Sequence, residues 1–353
     1  MNNPKVTVVM PVYNAQKYMR ESLDAIVNQT YANLEIICVD DGSTDDSPAI
    51  LSAYCEKDPR VKVIQQKNQF AGIARNNGLA HATGDYIMFI DSDDILERKA
   101  ISYLVKKAMQ YDTDVIVYGY YMFLDDVRRR RPVRNKYKNG LLCSSREISE
   151  KVFQITRSMP WDKFIKTEFL RKTGLQYQPM RVSEDIYVNR TMMTEADRIY
   201  FTGKRFLNYR IGNQDSLQGK INRYPAEFLK GNLAIAEELQ RIGTYEIYKS
   251  SFEKIITADA IMHLHTIDAY EHFAAIVETA QNIGFWDKVQ VHETSEAVQK
   301  SDYRQTLEKM MEGNTNECLA KFYAESRANS IPRSSIEYRI GHGILKLLHL
   351  TYQ

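Results

Sequence analysis

Apolar residues run almost without interruption through Lys5-Val-Thr-Val-Val-Met-Pro-Val-Tyr-Asn14, Leu34-Glu-Ile-Ile-Cys-Val39, Val61-Lys-Val-Ile64 and Tyr86-Ile-Met-Phe-Ile90, and each run stops at polar residues. Continuous rather than alternating runs predict strands buried on both faces, as in parallel sheets. Between them apolar positions return at helical spacing, at Tyr18, Leu23, Ile26 and Val27 after the first run and at Leu51 and Tyr54 after the second. Ser43, Thr44 and Asp45 read as the N-cap of the second helix, and Asp91-Ser-Asp-Asp94 as a turn and cap before a helix over Ile95 to Met109. Strands alternating with helices predict βαβ units, whose ligands lie beyond the carboxyl ends of the strands. Pro11 to Asn14, Asp40 to Thr44 and Asp91 to Asp94 fall along that one edge.

Beyond Ser216 the period changes. Phe228, Leu229, Leu233, Ile235, Leu239 and Ile242, and then the stretch from Phe252 to Ile283, follow helical spacing. The chain therefore divides near residue 220 into an α/β domain, 1–220, and a helical one, 221–353. Within the first, residues 1–105 and 106–220 form two halves. Ile336, Ile340, Ile344, Leu347 and Leu348 predict a terminal amphipathic helix, suited to its own domain, a sister subunit or a membrane interface. Such an unpartnered stripe favours a homodimer.

The chemistry concentrates where Tyr86-Ile-Met-Phe-Ile-Asp-Ser-Asp-Asp94 ends in three carboxylates. Carboxylates this close raise one another's pKa unless a cation lies between them, and oxygen-rich acidic sites suit Mg²⁺ or Mn²⁺. The Asp91, Ser92, Asp93 triplet reads as a metal site for a phosphate-bearing ligand. No glycine-rich loop follows the first strand, which excludes a dinucleotide-binding dehydrogenase and disfavours a nucleotidyltransferase that makes nucleotide sugars.

With Val8-Val-Met-Pro-Val-Tyr-Asn14, Val39-Asp-Asp-Gly-Ser-Thr-Asp45, Ala74-Arg-Asn-Asn-Gly78, Trp161-Asp-Lys163 and Glu184-Asp185 in this order, the chain over roughly residues 4 to 217 resembles glycosyltransferase family 2. The resemblance implies an inverting enzyme of the GT-A fold, with a Rossmann-like, mostly parallel sheet flanked by helices. It implies that Pro11 and Tyr13 border the nucleotide base, that Asp40 or Asp41 accepts hydrogen bonds from base or ribose, and that Arg75 lies near the nucleotide. Asp91, beside Ser92, would face the ribose, and Asp93 would bind the Mn²⁺ or Mg²⁺ that bridges the diphosphate. Asp185 would be the base, beside Glu184 and behind a Ser183 helix cap. Trp161, Asp162 and Lys163 would lie on the acceptor side, and Arg210, in Tyr209-Arg-Ile-Gly-Asn213, would reach the diphosphate. The expected donor is a UDP-sugar. The acceptor implied is a glycan or lipid-linked glycan of bacterial capsule or other surface polysaccharide, used at the cytoplasmic membrane face.

Composition narrows this picture. A net charge of +2 over 353 residues gives no bias toward nucleic acid. Cys38, Cys55, Cys143 and Cys318 lack metal-ligand spacing and predict reduced thiols in a cytoplasmic protein. His263, His265 and His272 do not share one helix face and read as core or surface residues. Locally, Arg128-Arg-Arg-Arg-Pro-Val-Arg-Asn-Lys-Tyr-Lys138 carries seven basic residues and no acidic one. It reads as a solvated loop, or as a contact for anionic lipid or for the phosphates of a lipid-linked acceptor, which would make the protein peripheral to the membrane. A non-catalytic binding protein using this loop and the C-terminal helices is the remaining alternative.

Overall fold

The computed structural model describes residues 3–124, 129–211 and 223–328. The chain forms two compact units, Met1–Asn213 and Gln214–Gln353. The terminal helix over 334–350, Arg128, Asn213 and Ser216 lie outside the described residues.

The first unit is built on one sheet. Its strands are β1 (Val6–Val12), β2 (Leu34–Asp40), β3 (Val61–Gln65), β4 (Tyr86–Phe89), β5 (Ile95–Leu96), β6 (Val115–Leu124), β7 (Arg129–Pro132), β8 (Leu141–Cys143), β9 (Lys163–Lys166) and β10 (Ile199–Ile211). The order is β3-β2-β1-β4-β9-β6-β10-β5, with β7 on β6 and β8 on β10. Pairing is parallel from β3 to β4, antiparallel where β9 joins β4 and β6, and parallel again between β6 and β10. The helices are α1 (Met19–Val27), α2 (Ser47–Lys57), α3 (Phe70–His81), α4 (Ala100–Tyr111), α5 (Val152–Ile155), α6 (Thr167–Thr173) and α7 (Asp185–Glu195).

Every residue of β1 and β2 is buried, as their apolar runs predict, and Val8, Met10, Ile36, Cys38 and Met88 join Leu23, Ile26 and Leu104 in one core. Two polar residues inside these strands are satisfied by each other and by neighbours. Thr7 donates to Glu35 at 2.8 Å, and Lys62 and the Thr83 amide donate to the same carboxylate at 2.8 and 2.7 Å. Burial opposes ionisation of Glu35, yet these hydrogen bonds outweigh it and hold the carboxyl down at about 2.

Three local expectations are corrected. Ile95 and Leu96 do not open a helix; they form β5 against Leu207 and Asn208 of β10, and the helix starts at Ala100. Ser43 and Thr44 do not cap α2, which begins at Ser47. Ser183 does not cap α7 and takes a left-handed φ of 61°. In the first two cases a tertiary partner decides the outcome: β10 pairs with Ile95 and Leu96, and Asn14 engages Ser43 and Thr44.

The second unit is helical, with long helices at Glu227–Arg241, Tyr245–Thr266 and Tyr270–Asn282. Its histidines have separate partners: His263 stacks on Phe228 at 3.8 Å, His265 meets Tyr303 Oη at 2.9 Å and His272 meets Asp268 at 2.7 Å. All four cysteines are free thiols, and burial pushes Cys38 up to about 12. Among the described residues no helix is long and apolar enough to cross a membrane.

Candidate active site

The parallel register aligns the ends of β1 and β2, Val12 opposite Asp40, so the loops after them lie side by side. Their polar residues lock the two loops together. Asn14, at φ 49°, donates its amide to Ser43 Oγ at 3.0 Å, and its side-chain oxygen accepts from the Thr44 amide at 2.8 Å. Asp40 accepts from the Ser43 amide at 3.0 Å, while Asp41 accepts from Gln66 Nε2 and the Gln69 amide, both at 2.8 Å. Both aspartates and Pro11 are buried; Tyr13 stands half exposed on the rim.

Next along the edge, β4 delivers the acidic run. Asp94 is fully buried, with Oδ1 accepting from the Arg210 amide at 2.9 Å and Oδ2 without a partner. Burial first, and then the charges of Asp93 and Asp91, hold its carboxyl well above the usual carboxylate range. Arg210 closes over this run. Its Nε donates to the Asp93 carbonyl at 2.8 Å, its Nη2 pairs with Glu21 at 2.7 Å, and its guanidinium lies 4.3 Å from the Tyr18 ring centre.

Arg75 joins this acidic edge to the opposite wall. Its side chain is 3% exposed; Nη2 pairs with Asp91 and Nη1 with Glu184, each at 2.8 Å. Burial works against the charge, but Asp91 and Glu184 outweigh it and raise the guanidinium pKa. Asn76, the next residue of α3, donates to the Tyr177 carbonyl at 2.8 Å and accepts from its amide at 2.9 Å, so the segment leading to Glu184 is stitched to the helix. The approach is close enough to require Gly72, where a Cβ would lie 2.7 Å from the Gln178 carbonyl oxygen and 3.2 Å from Glu184 Cγ.

Asp185 opens α7 beside Glu184 and is half-buried. Desolvation, then the Glu184 charge, push its carboxyl up to about 7, with Arg75 and Arg190 opposing. That value poises it as a proton acceptor near neutral pH. Strained backbone surrounds it: Ser183 and Phe70 both have positive φ, and Arg181 covers the Phe70 ring at 5.0 Å.

Trp161, Asp162 and Lys163 are all buried. Trp161 stacks on Tyr209 at 5.1 Å and meets Tyr120 edge-on at 4.7 Å. Lys163 Nζ donates to Asp162 at 2.6 Å and to the carbonyls of Arg157 and Met159, both at 2.7 Å. Burial lowers the Lys163 pKa and raises that of Asp162. These residues lie beneath the surface of the crevice, and Tyr209 covers Trp161.

The acidic run suits an oxygen-loving cation. Its donors are carboxylates, and Asp94 Oδ2 is buried without a hydrogen-bond partner beside Asp93 and Asp91. Among the described residues no three acidic, thiol or imidazole side chains converge into a complete ligand set. A hard divalent ion can be held by one or two carboxylates and completed by phosphate oxygens and water. Asp94, Glu21 and Tyr177 had no assigned role in the sequence. Asp94 was visible as the third acid of its run; Glu21 and Tyr177 gave no signal, because their partners Arg210 and Arg75 are distant in sequence.

Comparison with known proteins agrees with this arrangement. The family model for "Glycosyl transferase family 2" matches residues 7–191, just over half of the chain. Glycosyltransferase GlyA of Streptococcus pneumoniae serotype 4 is 32% identical over 214 residues, 59% of this chain, although the match spans only 30% of GlyA. The S. aureus TarS 1–349 structure in complex with UDP-GlcNAc superimposes with a TM-score of 0.72 at 20% identity, covering 92% of each chain. The mannosyltransferase PcManGT of Pyrobaculum calidifontis in complex with GDP-Man and Mn²⁺ aligns with a TM-score of 0.51 at 16% identity, over 91% of this chain and 88% of that one. The chain belongs to glycosyltransferase family 2 and has its GT-A fold.

Proposed function

We propose that the protein transfers a sugar, with inversion, from a UDP-sugar to a hydroxyl of a glycan or lipid-linked glycan in bacterial surface polysaccharide synthesis. The observation that carries this reading is the Arg75 bridge, which ties Asp91 at the end of β4 to Glu184 beside Asp185 in one crevice. UDP-GlcNAc in the TarS structure supports the donor class, and Mn²⁺ in PcManGT supports a metal.

Asp40 and Asp41 bind the base and ribose, with Tyr13 at the rim. Asp93 holds the cation. When bound, Mn²⁺ or Mg²⁺ neutralises the diphosphate leaving group. Arg210, anchored on Asp93 and Asp94, adds positive charge on the same side. Asp185 takes the acceptor hydroxyl proton as that oxygen attacks the anomeric carbon and the bond to the diphosphate breaks. A single displacement with one base inverts the configuration. Lys163 and Asp162 support the acceptor side from below.

The test is UDP release and product analysis with a panel of UDP-sugars and Mn²⁺. Asp185→Asn should lose at least ~10²-fold in rate while retaining the donor-induced thermal shift. A product of retained anomeric configuration, or an Asp185→Asn rate within a few fold of wild type, would overturn the assignment.

A further inference from the structure

The basic run has a folded shape that the transfer reaction does not use. After β7 the chain crosses β6, with the Val133 amide bonded to the Tyr120 carbonyl at 3.1 Å, and then lies over the middle of β10, whose register to β6 shifts on either side of Arg205. Gly119 of β6 makes room, since a Cβ there would sit 2.8 Å from Asn135 Oδ1. Arg205 holds the Val133 carbonyl from Nε and Nη2 at 3.2 and 3.1 Å, and Arg157 holds the Arg134 carbonyl at 3.1 Å.

Arg134, Asn135, Lys136 and Tyr137 line an open cavity of about 520 Å³ at this place. Its charge is not neutralised. Arg130 pairs with Glu97, but among the described residues no carboxylate pairs with Arg134, Lys136, Arg157 or Arg205. Asp162, the nearby acid, is already paired with Lys163. Two polar atoms of the lining residues, Asn135 Oδ1 facing Gly119 and Tyr137 Oη, are buried and have no hydrogen-bond partner. Burial, then the Asp162 charge, raise the Tyr137 pKa, so its hydroxyl keeps its proton and is a donor. A buried polar group without a partner is costly, and the Tyr137 hydroxyl reaches a ligand oxygen once its side chain turns toward the cavity.

The cavity is one row of aromatic rings away from the acidic run. Arg157 lies 5.0 Å from the Tyr120 ring centre, Tyr120 meets Trp161 and Trp161 meets Tyr209. Tyr209 directly precedes Arg210, whose amide donates to Asp94 at 2.9 Å, which places Tyr209 beside that run.

We propose that this cavity is a subsite for a phosphate group carried by the acceptor, an inference that rests on the transferase reading. Arg134 and Lys136 supply charge, and Tyr137 supplies a neutral donor to a phosphate oxygen. A concave site suits one phosphate better than a flat bilayer.

The experiment titrates the full chain with glycerol 3-phosphate, UDP and Mn²⁺ being held in excess so that the donor crevice is filled. Wild type should bind it, Arg134→Ala/Lys136→Ala should weaken binding at least ~10-fold, and Tyr137→Phe about 2- to 10-fold. The UDP-induced thermal shift should match wild type in both variants, which shows that they fold. Equal affinity in wild type and double variant, or no binding at all, would overturn the subsite. So would binding seen only to 3:1 phosphatidylcholine:phosphatidylglycerol vesicles, which would make the run a membrane contact. Glycerol 3-phosphate binding that depends on Arg134 and Lys136, without any UDP shift, would support the subsite and count against the transferase reading instead.

Discussion

Replacing Arg75 by methionine tests whether the bridge between the two walls of the crevice is as central as its geometry implies. Methionine keeps much of the volume and removes the charge, leaving Glu184, 6% exposed, and Asp91, 28% exposed, without their 2.8 Å partner. Breaking a buried pair on one side costs about 3–5 kcal/mol, because the remaining charge is uncompensated. For a folding unit of this size that corresponds to a drop of about 6–20 °C in Tm. Arg75 also lowers the Asp185 pKa, so its loss should move the acidic limb of the rate profile above about 7. Arg75→Lys should not restore the wild type, since one ammonium cannot span both carboxylates as the planar fork does. The assay is urea unfolding of Arg75→Met with and without Glu184→Gln, together with the pH dependence of UDP release. Glu184→Gln should recover part of the lost stability, because it removes one of the stranded charges. A loss under about 1 kcal/mol with no recovery from Glu184→Gln would refute the reasoning, since the buried pair would then carry no net coupling.

Further outcomes follow from the same geometry. The proposed base Asp185 would act only when ionised, so the rate should be present above about 7 and fall roughly tenfold per pH unit below it. Because its folded pKa is raised, ionising it disfavours the fold as pH climbs from about 4 to about 7. Asp185→Asn should therefore be more stable than wild type at pH 8, with a ceiling of about 4 kcal/mol that partial exposure and the shared Glu184 charge reduce to about 1–2. Glu35 has the opposite sign: its carboxyl, held down at about 2, adds up to about 3 kcal/mol that is present above pH 4.5 and lost as pH falls toward 2. Urea midpoints at pH 7 and pH 3 should show this slope in wild type and a flatter one in Glu35→Gln. Gly72→Ala gains about 1 kcal/mol of helix propensity but forces a Cβ to 2.7 Å from the Gln178 carbonyl oxygen. It should lower stability and slow transfer with UDP affinity little changed; a more stable, fully active variant would show that the segment gives way freely.

Much of the crevice was legible because uninterrupted apolar runs mark β1, β2 and β4, and the polar residues that end them mark the ligand edge. The helical second unit was legible from its period, and buried Phe228, Leu229, Ile235 and Leu239 are the positions that predicted it. Local signals failed where a distant partner decided the outcome. Ile95 and Leu96 read as the start of a helix but pair with β10, more than a hundred residues later. Ser43 offers itself as a cap yet serves Asn14, across the two loops. Trp161, Asp162 and Lys163, expected on the acceptor side, are buried, a depth that the two charged residues do not announce. The Arg75–Glu184 pair spans 109 residues, and no local pattern announces it.

The central claim is that the acidic run after β4 binds a nucleotide-sugar through a divalent cation. A thermal-shift titration of wild type and Asp93→Asn with UDP-GlcNAc and other UDP-sugars, each with and without Mn²⁺, tests it most directly. Binding only to the native state raises apparent stability by mass action, about 2.7 kcal/mol at a hundredfold excess over Kd. The account predicts a shift with at least one UDP-sugar that needs both Mn²⁺ and Asp93. A shift that is the same without Mn²⁺ and in Asp93→Asn, or no shift with any nucleotide, would contradict it.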